Sequence, residues 1–133
     1  MASLRKSIVI AKPAAHVWDA VSDAGHLHTR LAPTLVRDTV MDATGAVRTV
    51  TFANGMILVE QIISNDAAAM RLAWTAKSEN WHHHNASLRV IALSDDRSEI
   101  VWTADVLPHL AGDMIAQIMD AGLAATKAHL EHD

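Results

Sequence analysis

The sequence predicts an α+β domain in which a curved antiparallel sheet of about seven strands wraps around a long C-terminal helix, with two short helices after the first strand. Three observations predict it. Asn54-Gly55, a dipeptide that accepts the positive φ angles of a two-residue hairpin turn, joins the apolar runs Val47–Ala53 and Met56–Ile63. Apolar and polar residues alternate through most of the middle of the chain, the pattern of strands with one buried face. From His109 to His129 there is no proline, and Leu110, Met114, Ile118, Ala121 and Ala125 recur at helical spacing. A sheet with a single long helix to cover one face must curl around that helix, and curling encloses a space.

The elements follow in order. Leu4–Ala11 is rich in β-branched residues and stops at Lys12-Pro13, as a first strand should. Pro13 opens a helix whose Ala14, Val17, Trp18 and Val21 share one face, and Gly25 ends it. A second short helix, about His26 to Leu31, is stopped by Pro33. Two strands broken near Thr44-Gly45 carry the chain to the Asn54-Gly55 hairpin. After the polar break Ser64-Asn65-Asp66, a strand from Ala69 to Ala76 sets Met70, Leu72 and Trp74 on its apolar face. Trp81–Leu93 and Glu99–Val106 follow as strands joined by the turn Ser94-Asp95-Asp96-Arg97, and Pro108 closes the sheet.

Composition narrows the function. At 133 residues, half of them hydrophobic and 20% charged, the chain is expected to form one domain over 1–133 rather than a disordered or fibrous segment. A net charge of −4 is the wrong sign for neutralising phosphates, so no nucleic-acid partner is expected. The absence of cysteine removes disulfides, thiolate zinc sites, Fe–S clusters and cysteine nucleophiles. The apolar run Ile8–Ala11 is too short for a signal peptide or a membrane span, so a cytoplasmic location is expected. There is no nucleophile elbow, no phosphate-binding glycine loop and no EF-hand spacing around Asp95-Asp96, and neither cofactor nor metal is expected.

Ala11-Lys12-Pro13-Ala14-Ala15-His16-Val17-Trp18-Asp19-Ala20-Val21-Ser22-Asp23 resembles the opening of the bacterial polyketide cyclase/dehydrase-like proteins. Gly45-Ala46-Val47-Arg48, Asn54-Gly55 with Glu60 beyond it, Asp66, and Val101-Trp102 leading to Val106-Leu107-Pro108 extend the resemblance over nearly the whole chain. Those proteins belong to the START-related, birch-pollen-allergen-like (SRPBCC) superfamily of helix-grip folds, whose members include hydrophobic-ligand carriers, receptors and some enzymes. The chain departs from them at Leu31, where relatives often carry tryptophan, and in having no tyrosine, which removes a phenolic acid from any cyclase mechanism. The resemblance implies a helix-grip domain with a cavity for a lipid-like, aromatic or polyketide-like molecule, and lipid transport among its roles.

The residues supply material for such a cavity. Gly112, Ala116, Ala121, Gly122, Ala124 and Ala125 leave the last helix with small side chains that cannot fill a concave sheet. Met56, Leu58, Met70, Leu72, Trp74, Leu88, Val90 and Trp102 offer an apolar wall, with Met114 and Ile118 facing them from the helix. An ordinary packed core would use the same residue types.

The polar candidates are His82, His84 and Glu60. If Leu88, Val90 and Ala92 face inward, the period of two turns His84 and His82 inward and His83 outward, whereas one bulge would reverse this. Two inward imidazoles could move a proton near neutral pH, bind a divalent ion given a third ligand that the sequence does not display, or orient the polar end of a ligand. A two-residue turn pairs Arg48 with Gln61 and Thr49 with Glu60, which separates the two charges onto opposite faces. Either both are solvated strand charges or one points inward, and Glu60, which shares its parity with Met56, Leu58 and Ile62, is then expected to be the inward one.

Three functions compete on this reading. One is binding of a small hydrophobic or amphipathic molecule, with the wall residues and His82, His84 and Glu60 as its contacts. The second is a cyclase/dehydratase-type enzyme using His82, His84 and Glu60 as acid/base groups. The third is an interaction module with a filled core. The expected partner is a small hydrophobic ligand, and the expected assembly a monomer or homodimer.

Overall fold

The computed structural model describes residues 2–132. Seven strands form one antiparallel sheet: β1 (Ala2–Ile10), β2 (Val36–Met41), β3 (Val47–Phe52), β4 (Ile57–Asp66), β5 (Arg71–Lys77), β6 (His83–Ser94) and β7 (Arg97–Leu107). Their spatial order is β1-β7-β6-β5-β4-β3-β2, so every neighbour after the first pair is also a neighbour in sequence. Register shifts in β2, β4 and β6 bend the strands and help the sheet curl. The long helix α2 (Gly112–His132) lies in the concavity against β1 and β7, preceded by a single 3-10 turn, His109–Ala111. This is the helix-grip architecture.

Helix α1 (Ala14–Val21) follows Pro13 and buries the expected stripe of Ala14, Val17, Trp18 and Val21, together with Ala20. It stops at Val21, before Gly25, with the Ser22 amide closing onto the Trp18 carbonyl. The second short helix is one wide π-helical turn, Leu27–Leu31, packed on α1, β2 and α2. Arg30 pins it to α1, donating to the carboxylates of Asp19 and Asp23, the latter at 3.1 Å. Leu31 and Ala32 are thereby buried against the core at one end of the concavity.

Two registers differ from expectation. The β3–β4 turn is longer by one residue, because the Gly55 amide bonds to the Phe52 carbonyl and the Phe52 amide to the Met56 carbonyl, with Gly55 at φ 90°. A three-residue loop with glycine in the left-handed position is the other common hairpin closure. It pairs Arg48 with Glu60 instead of Gln61, so both charged residues point to the concave face. The second difference is on α2, whose buried face is Ile115, Met119, Gly122, Leu123, Thr126 and Leu130. The expected stripe lies rotated from it, with Leu110 85% exposed. Close approach sets this rotation: a Cβ at Gly112 would sit 2.7 Å from the Ala2 Cβ, and one at Gly122 2.7 Å from the Trp102 ring, so these two positions must face the sheet as glycine. The space left by Gly122 is taken by Trp102, and Ala121 and Ala124 point to solvent.

Candidate functional site

The concave face and α2 enclose a cavity of about 70 Å³. Its sheet wall includes Arg48, Val50, Leu58, Glu60, Trp74, His84, Leu88, Ile100 and Trp102, each an inward position of its strand. The helix contributes Ile115, Ile118, Gly122, Leu123 and Thr126, and the Leu27–Leu31 turn with Leu35 closes one end. The space holds about two waters at liquid density, well below the roughly 300–1,000 Å³ of pockets that enclose drug-sized molecules. Leu27, Leu35, Trp102 and Ile118 are only half-buried and form the part of the wall nearest solvent.

Glu60 lies inward as expected, 6% exposed, and Arg48 lies beside it, 1% exposed. Arg48 Nε donates to Glu60 Oε1 at 2.8 Å and Nη1 donates to the Ala24 carbonyl at 3.0 Å. The guanidinium carbon stands 5.2 Å from the centre of the Trp74 ring, within cation–π range. Two opposite charges buried together, hydrogen-bonded and capped by a ring, satisfy one another, so this wall carries no net charge. Trp74 continues into Trp102, with ring centres 6.0 Å apart.

The histidine run divides. His84 is 4% exposed and lines the cavity, whereas His82 is exposed to solvent and His83 half-buried. The expectation of two inward histidines is corrected because β6 begins only at His83, and Ser78–Trp81 forms an isolated bridge just before it. Trp81 takes the buried position, donating its indole N–H to the Ala76 carbonyl at 3.0 Å and setting its ring edge-on to His84, 5.0 Å between centres. The alternation therefore restarts between Trp81 and His84, and His82 is thrown outward.

Neither ring nitrogen of His84 has a hydrogen-bond partner among the described residues, and the buried Trp102 Nε1 likewise has none. Burial first, and the neighbouring His83 second, push the His84 imidazole down to about 4, so the ring is neutral at pH 7. In the ladder, Arg48 faces Glu60, Glu60 faces Ala76, and one step beyond the Thr75–Asn85 pair brings His84 level with Ala76. The ion pair and the imidazole thus stand in one transverse row, separated by the small side chain of Ala76.

Of the residues read as contacts in the sequence, Leu58, Glu60, Trp74, His84, Leu88, Trp102 and Ile118 line the cavity together. Leu72 is fully buried in the core behind it, and Met56, Met70 and Met114 pack at the core's margin. Sequence reasoning missed Val36, Val50, Phe52, Ile100, Ile115 and Leu123, which are plain apolar residues without chemical signal, and the closing turn at Leu27 and Leu31. No three His, Asp or Glu side chains among the described residues come together as metal ligands. No helix among them is long and apolar enough to cross a membrane.

Residues 1–131 match the family described as polyketide cyclase/dehydrase and lipid transport. The chain belongs to that family. Its fold is shared with solved structures of a START superfamily protein and of Ara h 8. Among curated proteins none matches. Among solved structures, a Thermobifida fusca protein is 29% identical at a TM-score of 0.79, the match covering 98% of this chain and 91% of that one. A START superfamily protein from Mycobacterium smegmatis is 12% identical at a TM-score of 0.77, over 98% and 97% of the two chains. Norcoclaurine synthase from Thalictrum flavum, solved in complex with dopamine and hydroxybenzaldehyde, is 17% identical at a TM-score of 0.74, over 98% and 84%. The family's description spans polyketide cyclase/dehydrase and lipid-transport roles.

Proposed function

We propose that this single domain binds a small hydrophobic or amphipathic molecule in the cavity between the sheet and α2. The observation that carries the reading is His84, a buried side chain on a mostly apolar wall, whose two ring nitrogens lack partners where Arg48 and Glu60 satisfy each other. A buried polar group without a hydrogen bond costs about 1–3 kcal/mol, a cost that a ligand's polar end removes when it binds. Leu58, Trp74, Leu88, Trp102 and Ile118 would contact the apolar body, which enters as Trp102 and the Leu27–Leu31 turn give way. His82 takes no part.

A cyclase/dehydratase reading draws on a separate observation: the His84 ring stays unprotonated at neutral pH and stands in one row with Glu60 across Ala76. In that reading His84 accepts the substrate's proton. The solved norcoclaurine synthase with its two aromatic ligands and the family's name keep this reading in view.

Purification from the native host followed by mass spectrometry tests the binding reading. The expected result is one recurrent apolar compound near one equivalent, with Trp74 and Trp102 fluorescence quenched on titrating the neutral probe N-phenyl-1-naphthylamine. The His82→Ala variant should bind the probe as the parent does. An empty protein that also ignores the probe would mean a filled core and an interaction module. Loss of water from the bound compound on incubation, abolished in His84→Ala, would make the protein a dehydratase.

A further inference from the structure

Resting on the cavity reading, the geometry points to a ligand whose buried end is uncharged and carries a hydroxyl group, received by His84 as the site's anchor. Charge is the first selector. Arg48 and Glu60 are the charged side chains on the wall; they sit 2.8 Å apart, and Arg48 spends a further donor on the Ala24 carbonyl. A carboxylate or ammonium brought into this wall would meet a pair that is already neutralised, and would lose its water without gaining a counter-charge. An anion or a cation is therefore selected against, although either could make hydrogen bonds there.

The polar atoms left over define what is accepted. A neutral imidazole has one N–H donor and one bare nitrogen acceptor, and both are buried and unpartnered in His84. A hydroxyl is the smallest uncharged group that satisfies either nitrogen, donating to the bare one or accepting from the N–H. A carbonyl oxygen alone could answer only the N–H, and a hydrocarbon neither. A further unpartnered atom on the cavity wall, Trp102 Nε1, is a donor and so adds a place for a second oxygen acceptor farther along the wall. The edge-on Trp81 ring and the β6 backbone hold the imidazole in place, so the anchor is pre-set rather than recruited.

Phenol, toluene and benzoate test this, because phenol and toluene have nearly the same shape and benzoate carries in their place a slightly larger, charged carboxylate. Isothermal titration at pH 7 should give phenol at least tenfold tighter than toluene, with no saturable benzoate binding. In His84→Leu, of similar volume, phenol should fall to toluene's affinity while toluene binds as before. In the parent protein, the ring-nitrogen signals of the His84 imidazole, which report hydrogen bonding, should move with phenol and much less with toluene, a readout that does not depend on the variant folding. Equal affinity for phenol and toluene would overturn the hydroxyl anchor and leave the cavity reading standing. Benzoate as the tightest of the three would overturn the neutral end. Failure of all three to bind would overturn this inference together with the cavity reading.

Discussion

On the β3–β4 side of the cavity two full charges are buried, and each meets the other at 2.8 Å. On the β6 side one imidazole is buried against the Trp81 ring, and its two nitrogens find no hydrogen-bond partner among the described residues. The first is a closed arrangement: Coulomb attraction, the Ala24 carbonyl and the Trp74 face replace the water that was lost. The second is open, and the ring responds by giving up its charge. The difference teaches that buried polarity on this face has two roles. One is to hold the curled hairpin to the chain after α1. The other is to remain available.

The contrast can be tested where the expected effect is largest, at the pair. Glu60→Ala leaves a buried, unpaired Arg48 and should lower stability by about 3–5 kcal/mol in urea unfolding. The double replacement Arg48→Met with Glu60→Leu should recover most of it. A cost below about 1 kcal/mol for the single variant would mean that the two charges are not held dry, since that is the range of solvated pairs.

The next effect is a pH dependence from His84. Its pKa is about 4 in the fold against an ordinary value of 6.5, so the unfolded chain binds the extra proton between these values. Stability should be complete above about pH 6.5, fall by about 3 kcal/mol as the pH drops to about 4, and show no further His84 contribution below that. Burial works against ionising Asp23, yet its hydrogen bonds to His26 and Arg30 hold the carboxyl below the usual range, and Lys127 does the same for Glu131. Their losses therefore fall at lower pH. His84→Leu should flatten the stability profile between pH 6.5 and 4. An unchanged slope would place the titration elsewhere.

The smallest effect concerns what holds the imidazole. Trp81→Phe keeps an aromatic edge against His84 but strands the Ala76 carbonyl, and should cost about 1–2 kcal/mol in thermal unfolding. It should also weaken phenol binding less than His84→Leu does. If it weakens phenol binding as much, the position of the ring rather than its nitrogens carries the effect.

Much of this was legible along the chain. The succession of elements along the chain, the α1 stripe and the inward placement of Leu58, Glu60, Trp74, His84 and Leu88 follow from periodicities of 2 and 3.6 that burial enforces locally. Membership of the family was legible too, from residues such as Ala11–Asp23, Asn54-Gly55 and Val101-Trp102 that lie close together in the sequence. The partner of Glu60 was not. Asn54-Gly55 is compatible with a loop of two residues or three, and one residue of loop decides whether Arg48 sits beside Glu60 or faces away. His82 failed for a similar reason, since alternation reads correctly only within a strand, and β6 starts one residue later.

Residue order thus settled which segments are strands and helices, and that the sheet has a concave apolar face, because those outcomes depend on neighbours a few positions away. Which face of α2 enters the concavity depended on contacts between residues about a hundred positions apart, Ala2 against Gly112, together with Trp102 against Gly122. The pairing of Arg48 with Glu60 and the isolation of His84 arose in the same way. Each depends on which side chains from different strands arrive at one point after the sheet has curled, and steric fit and desolvation act only once they are there.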